Sequence, residues 1–221
     1  GALSSVRPTK LSTRCLSGGG SEKDAERLLR ETYFVSPARA KLCVDASRHT
    51  IEAAKLLDPD DLSVYIGIPF CPTRCAYCSF VSQSIERFGE FLPAYLDALL
   101  REIAHTGKLL RDSGFHIRTL YIGGGTPTFL TNDELTLMME TLTKRFPLAQ
   151  GGEFSIEVDP RTCDADKVKH LHDLGLNRMS LGVQDFNPDV QKAVNRIQPF
   201  EMTKATMEAA RENGFESINM D

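Results

Sequence analysis

A short apolar run leads directly into a cysteine-rich loop in this chain: Val64-Tyr65-Ile66-Gly67-Ile68 is followed by Pro69-Phe70-Cys71-Pro72-Thr73-Arg74-Cys75-Ala76-Tyr77-Cys78-Ser79-Phe80. The apolar run has the length and β-branched character of a buried strand. The loop therefore follows the carboxyl end of that strand, which is where α/β folds place their active sites.

From Ser63 onward, short apolar strands alternate with amphipathic helices. Strands are predicted at 64–68, 119–122, 154–158, 178–183 and 216–221. One of the intervening helices begins with a capping box, in which Thr131 precedes Glu134 by three residues. This alternation predicts a parallel sheet covered by helices, either an open doubly wound sheet or a barrel.

Residues 1–62 are more polar and mostly helical in pattern, so we expect a helical segment there and a separate α/β domain over 63–221. A helix is predicted from Pro37, with Leu42, Ala46 and Ala53 on one side.

The composition excludes several classes of protein. The chain has 221 residues and a net charge of −4, which argues against nucleic-acid binding through a bulk basic field. No apolar stretch approaches the roughly 18 residues of a membrane span. The first residues lack the layout of a secretory signal, so cytoplasmic localisation is expected.

Three of the six cysteines, Cys71, Cys75 and Cys78, lie within eight residues, spaced C-x3-C-x2-C. Without a secretory signal, such a triple indicates metal binding and not disulfides. Structural zinc needs a fourth ligand, which neither Ser79 nor Phe80 supplies. Three thiolates instead suit three irons of a [4Fe–4S] cluster, leaving the fourth iron open. The other cysteines, at 15, 43 and 163, are expected to be free thiols.

Two further features admit both a structural and a functional interpretation. Gly123-Gly124-Gly125-Thr126-Pro127 follows the second strand and suits either a sharp turn or a ligand that approaches the backbone closely. Glu157 lies in an apolar strand, where its carboxylate needs a partner, either a ligand amine or an arginine. Taken alone, Arg196 is expected to be a surface arginine.

The cysteine spacing, with Tyr77 before its last member, resembles the signature of the radical S-adenosylmethionine (SAM) enzymes. The wider chain is similar to one branch, the oxygen-independent coproporphyrinogen III oxidases (coproporphyrinogen dehydrogenases). The motifs that support this are Tyr65-Ile66-Gly67-Ile68-Pro69-Phe70-Cys71, Gly123-Gly124-Gly125-Thr126-Pro127-Thr128, Ser155-Ile156-Glu157-Val158-Asp159-Pro160 and Ser180-Leu181-Gly182-Val183-Gln184-Asp185-Phe186. Val6-Arg7-Pro8-Thr9-Lys10 and the helical segment after it resemble the extension of the HemZ-type sub-branch.

The resemblance implies a (β/α)6 radical SAM barrel, here partial, because the chain stops at the fifth strand and is expected to be a fragment lacking a C-terminal part. It implies a [4Fe–4S] cluster on Cys71, Cys75 and Cys78, and SAM as the second cofactor. The positions that match the family's cofactor-binding residues are Tyr65, Tyr77, Gly124, Gly125, Thr126, Glu157, Gln184, Arg196 and Asp221.

The activity implied is oxidative decarboxylation of the propionates of coproporphyrinogen III to vinyl groups by a 5′-deoxyadenosyl radical. The implied partners are this small-molecule substrate and an electron donor such as flavodoxin or ferredoxin. Well-studied members carry another cysteine two places after the third, where this chain has Phe80. A related haem-chaperone branch also lacks that cysteine, so a haem-binding protein without decarboxylase activity is the alternative.

Overall fold

The computed structural model of the chain describes residues 7–220, except the side chain of Pro8. The chain divides into two compact units between Pro59 and Asp60. The domain division expected from the sequence, 1–62 and 63–221, lies close to this boundary and stays a prediction. Among residues 7–220, no helix has the length and apolar character needed to cross a membrane.

Within residues 7–59, the first unit contains three helices: α1 (Pro8–Ser17), α2 (Glu22–Arg27), which continues as a π-helical turn over Leu28–Thr32, and α3 (Pro37–Ala54). The side of α3 that carries Leu42 is not its buried face, since Leu42 is 66% exposed. The buried face instead follows helical spacing through Ala40, Cys43, Val44 and Ser47. Its serine is accommodated because the Ser47 and Ser12 hydroxyls hydrogen-bond at 2.7 Å.

The second unit is built on five parallel strands, which are β1 (Asp61–Ile68), β4 (His116–Gly124), β5 (Leu148–Val158), β6 (Arg178–Leu181) and β7 (Ser217–Met220). Their order in the sheet is their order in the chain. A doubly wound sheet reverses its strand order, whereas a barrel adds each strand beside the last. The observed order is therefore that of a partial barrel, one of the two arrangements that the alternation allowed and the one that the family resemblance implied. The strands β1, β4 and β5 begin earlier than expected, because residues before each apolar run also pair in the sheet.

Helices fill the connections between these strands: α4 (Ile85–Phe88), α5 (Leu92–Asp112), α6 (Asn132–Arg145), α7 (Ala165–Asp173), α8 (Pro188–Ala193) and α9 (Phe200–Glu212). A small parallel pair, β2 (Phe70–Cys71) and β3 (Gln83–Ser84), lies apart from the main sheet. The predicted capping box begins α6, where the Glu134 N–H donates to Thr131 Oγ1 at 3.2 Å and the Thr131 N–H donates to Glu134 Oε2 at 2.8 Å.

One hydrophobic core lies between the sheet and its helices. Alternate strand residues, such as Ile66, Ile122 and Ile156, meet the apolar faces of α5, α6, α7 and α9. This layer leaves the carboxyl ends of the strands free to form a site.

Two leucines on α6 provide a test of this core. Leu135 is completely buried, whereas Leu137, two residues later, is 53% exposed. We expect Leu135→Ala to lower the free energy of unfolding by about 2–5 kcal/mol, because it leaves a cavity. Leu137→Ala should change it by no more than about 0.5 kcal/mol. Urea unfolding of both variants measures the difference, and equal effects would contradict the assigned core.

Candidate active site

A cavity of about 310 Å³ lies at the carboxyl edge of the parallel sheet. Its walls come from the segments that follow β1, β4, β5 and β6, from the link between α8 and α9, and from β7. The predicted site residues in its lining are Cys71, Cys75, Tyr77, Cys78, Gly124, Gly125, Thr126, Glu157, Gln184 and Arg196. Residues from widely separated motifs therefore meet in one place.

The cysteine loop is held closed at its base by the β2–β3 pair, in which Cys71 lies beside Ser84. The Gln83 N–H also donates to the Pro69 carbonyl oxygen at 2.8 Å. Cys71 is buried, and Cys75 and Cys78 are partly exposed toward the cavity. Within residues 7–220, no three Cys, His, Asp or Glu side chains converge as the ligands of a single metal ion would.

The glycine motif packs directly against the cysteine loop. The N–H groups of Gly125 and Thr126 donate to the carbonyl oxygens of Ile68 and Phe70, both at 2.8 Å. A Cβ on Gly125 would lie 2.6 Å from the Phe70 oxygen and 2.9 Å from Cys71 Sγ. Gly124 has a φ of +113°, which favours glycine. Close contact between the two loops thus accounts for these glycines.

Glu157 points from the end of β5 into the cavity. The Tyr121 hydroxyl donates to its Oε1 and the Gly124 N–H donates to its Oε2, each at 3.0 Å. A Cβ on Gly123 would lie 2.9 Å from the Glu157 Cδ, so the glycine motif also makes room for this carboxylate. Tyr121 is a contact that the sequence analysis did not identify, because its ring lies on the neighbouring strand.

Arg196 also lines the cavity. Only 8% of this residue is exposed, so the expectation of a surface arginine is wrong. One terminal nitrogen, Nη2, donates to the Gly182 carbonyl oxygen at 2.7 Å, and a Cβ on Gly182 would lie 2.8 Å from that nitrogen. Among the described residues, Arg196 Nε is buried without a hydrogen-bond partner. Gln184 lies beside it with a φ of +66°, a left-handed conformation unusual outside glycine.

Asp159 and Arg161 also line the cavity, although neither was among the predicted site residues. Burial acts to raise the pKa of Asp159, but hydrogen bonds from Arg161 and the charges of Arg196 and Arg161 outweigh it, and the pKa falls below 3.8. Asp159 is therefore a carboxylate at neutral pH. The sequence feature that could have identified both residues is the position of Asp159-Pro160-Arg161 directly after a predicted strand.

The remaining predicted site residues, Tyr77, Tyr65 and Asp221, differ in their relation to the cavity. Tyr77 lines the cavity, and burial together with a hydrogen bond to Cys75 raises the pKa of its hydroxyl to about 12. Tyr65 is not among the described residues that line it. Tyr65 lies three residues before the end of β1, and its ring stacks on that of Tyr121 at a centroid distance of 5.9 Å. Asp221 lies outside the described residues.

The remaining three cysteines, Cys15, Cys43 and Cys163, are free thiols, as expected. Burial raises the pKa of Cys163 to about 12. Its thiol is therefore protonated and a poor metal ligand at neutral pH.

Comparison with known proteins confirms the resemblance. The chain is 32% identical to the oxygen-independent coproporphyrinogen-III oxidase-like protein HemZ of Bacillus subtilis over all of this chain and 45% of that protein. It is 43% identical to the oxygen-independent coproporphyrinogen III oxidase of Escherichia coli over 72% of this chain and 34% of that protein. The chain thus spans less than half the length of these relatives.

The solved structure of the Escherichia coli enzyme HemN, described as a radical SAM enzyme, matches with a TM-score of 0.69 and 40% identity. The match covers 79% of this chain and 39% of that chain. Residues 65–221 also match the sequence pattern of the radical SAM superfamily, whose members use a [4Fe–4S] cluster and SAM. With its three cysteines, glycine motif and Glu157 gathered at the carboxyl edge of a partial barrel, the chain belongs to the radical SAM superfamily.

Proposed function

We propose that this chain forms the cofactor-binding part of an enzyme that oxidatively decarboxylates coproporphyrinogen III without oxygen. The observation that supports this most directly is the meeting of Cys71, Cys75 and Cys78 with Glu157 and Arg196 in one cavity. Its volume of about 310 Å³ is within the range of small-molecule sites. The relatives named as coproporphyrinogen III oxidases supply the choice of substrate.

The residues present suit both cofactors. Three thiols on one loop match a cluster with three protein ligands. The Glu157 carboxylate suits an ammonium group, and the unpartnered Nε of Arg196 suits a carboxylate. An amino-acid moiety such as that of SAM presents both groups. When bound, the reduced cluster and SAM supply a 5′-deoxyadenosyl radical that removes hydrogen from the substrate.

The side chains of this chain would orient SAM and exclude water from it. Glu157 is held by Tyr121 and Gly124, so its carboxylate is oriented before a ligand arrives. We assign Gly124, Gly125 and Thr126 to the methionine part of SAM, Gln184 and Arg196 to further SAM contacts, and Asp221 to its ribose. Tyr77 and Tyr65 would pack at the edge of the site. A fixed geometry of this kind lowers the barrier by orienting the reacting groups in advance.

On the substrate, the 5′-deoxyadenosyl radical would take a hydrogen atom from the β-carbon of a propionate. Loss of CO2 then follows, with transfer of one electron from the substrate to a one-electron acceptor. The product is a vinyl group, and two such steps convert coproporphyrinogen III to protoporphyrinogen IX. The first electron would come from a donor such as flavodoxin or ferredoxin, in the cytoplasm.

An assay of the full-length protein tests this function. After anaerobic reconstitution, SAM, a reductant and coproporphyrinogen III are added, and the porphyrins are separated by chromatography after oxidation. We expect tricarboxylic and dicarboxylic products in the complete reaction and none without SAM. If no decarboxylated product forms while haem binds stoichiometrically, the haem-chaperone alternative replaces the proposal.

A further inference from the structure

Asp159 is the centre of an ion cluster at the wall of the cavity. Its side chain is 6% exposed and lies directly after β5. The Arg161 side chain donates to both carboxylate oxygens, with Nε 3.0 Å from Oδ1 and Nη2 2.6 Å from Oδ2. Arg196 approaches the same carboxylate from the link between α8 and α9, with Nη1 3.3 Å from Oδ2. One buried carboxylate thus holds two guanidinium groups.

Both arginines continue from Asp159 onto the cysteine loop. Arg161 Nη1 donates to Thr73 Oγ1 at 3.0 Å, and Arg196 Nη1 donates to Cys75 Sγ at 3.8 Å. The ion cluster of Asp159, Arg161 and Arg196 carries one more positive than negative charge. It is largely buried, because the exposed fractions of the Arg161 and Arg196 side chains are only 16% and 10%. Water therefore screens this charge poorly.

The segment before Arg196 reinforces this contact with the loop. The Ala76 N–H donates to the Val194 carbonyl oxygen at 2.9 Å, and Asn195 Nδ2 donates to the Arg74 carbonyl oxygen at 3.1 Å. Asn195 adopts a φ of +56°, so its backbone is held in a left-handed conformation. These bonds hold the segment that carries Arg196 against the cysteine loop, beside Cys75.

We propose that Asp159 and Arg161 are positioning residues that set the charge beside Cys75 and thereby tune the reduction potential of the cluster. This inference rests on the proposed function, because it requires a cluster on the cysteine loop. Reduction adds a negative charge, so a fixed positive charge and an N–H donor at a ligand sulfur favour the reduced state. Net charge and hydrogen bonds to the sulfurs are known determinants of such potentials. Arg161 raises the potential, and Asp159 limits that increase.

Substitutions of opposite charge separate this role from a general loss of structure. Arg161→Gln removes a positive charge and should lower the potential. Asp159→Asn removes a negative charge, retains an amide oxygen for the arginines and should raise it. Damage to the loop would shift both potentials in the same direction. The matched control is Arg178→Gln. Arg178 pairs with Glu153 and is the first residue of β6, so it lies at the end of that strand away from the cavity.

The measurement is a redox titration of the reconstituted full-length protein, without SAM, followed by electron paramagnetic resonance. At a fixed potential, Arg161→Gln should lower the ratio of reduced to oxidised cluster about tenfold, which is ~59 mV for a one-electron couple. Asp159→Asn should raise the ratio, and Arg178→Gln should leave it unchanged. Unchanged potentials in both site variants, or shifts in the same direction, overturn the proposal.

The test also covers a variant that takes up no iron–sulfur cluster and a wild-type protein that lacks the proposed function. If Arg161→Gln takes up no iron–sulfur cluster, Arg161→Lys should keep the wild-type reduction potential and Asp159→Asn should still raise it. A reduction potential below the wild-type value in either variant overturns the proposal. A wild-type protein that binds a cluster but converts no coproporphyrinogen refutes only the proposed substrate. A wild-type protein that binds no cluster refutes the proposed function itself, and the tuning role with it.

Discussion

Cys75→Ala is expected to abolish the visible absorbance of a [4Fe–4S] cluster after anaerobic reconstitution. Each of the three cysteines on the loop is assigned to one iron, so the substitution leaves two protein ligands for a cluster that requires three. Cys75 is also the cysteine that accepts a hydrogen bond from Arg196. Iron and sulfide content per chain, measured with the absorbance, should fall to background.

Cys163→Ala is the matched control for this prediction. Cys163 lies in the same unit, is 2% exposed and is absent from the described lining of the cavity. Its replacement should leave iron content and absorbance unchanged, at a modest cost in stability from the lost buried sulfur. An intact cluster in Cys75→Ala, or loss of the cluster in Cys163→Ala, would refute the assignment of ligands.

Glu157→Gln is expected to weaken SAM binding about tenfold to a hundredfold while the cluster is retained. A hydrogen bond to a charged group contributes about 1.5–3 kcal/mol, and the substitution removes the negative charge that would face the SAM ammonium. The amide also places an N–H2 group against one of two existing donors, the Tyr121 hydroxyl and the Gly124 N–H. Calorimetric titration of the cluster-loaded protein with SAM measures the change.

The control for Glu157 lies on the same strand. Glu153 is four residues earlier on β5, where its exposed carboxylate pairs with Arg178. Glu153→Gln should therefore leave SAM affinity within about twofold, since exposed ion pairs contribute little. Equal losses in both variants would indicate an effect on the strand and would contradict a direct role for Glu157.

Much of the site could be predicted because its motifs are local in the chain. The cysteine spacing, the glycine motif and the capping box of Thr131 and Glu134 each lie within a few residues, and the structure contains all three. The buried face of α3 could not be predicted by selecting its largest apolar residue. Leu42 is exposed there, while the polar Ser47 is buried and bonded to Ser12. A hydrogen bond to a partner 35 residues away leaves no local pattern.

The sequence by itself determined the chemistry of the cysteine loop and the alternation that makes a parallel sheet, because short-range spacing and apolar periodicity govern both. The tertiary structure alone decided which charges face that loop. It buries Arg196 beside Cys75, 121 residues away, and binds both Arg196 and Arg161 to Asp159. The reason is physical: parallel strands bring their carboxyl ends to one edge, and the arginine that reaches that edge is specified by packing across the sheet.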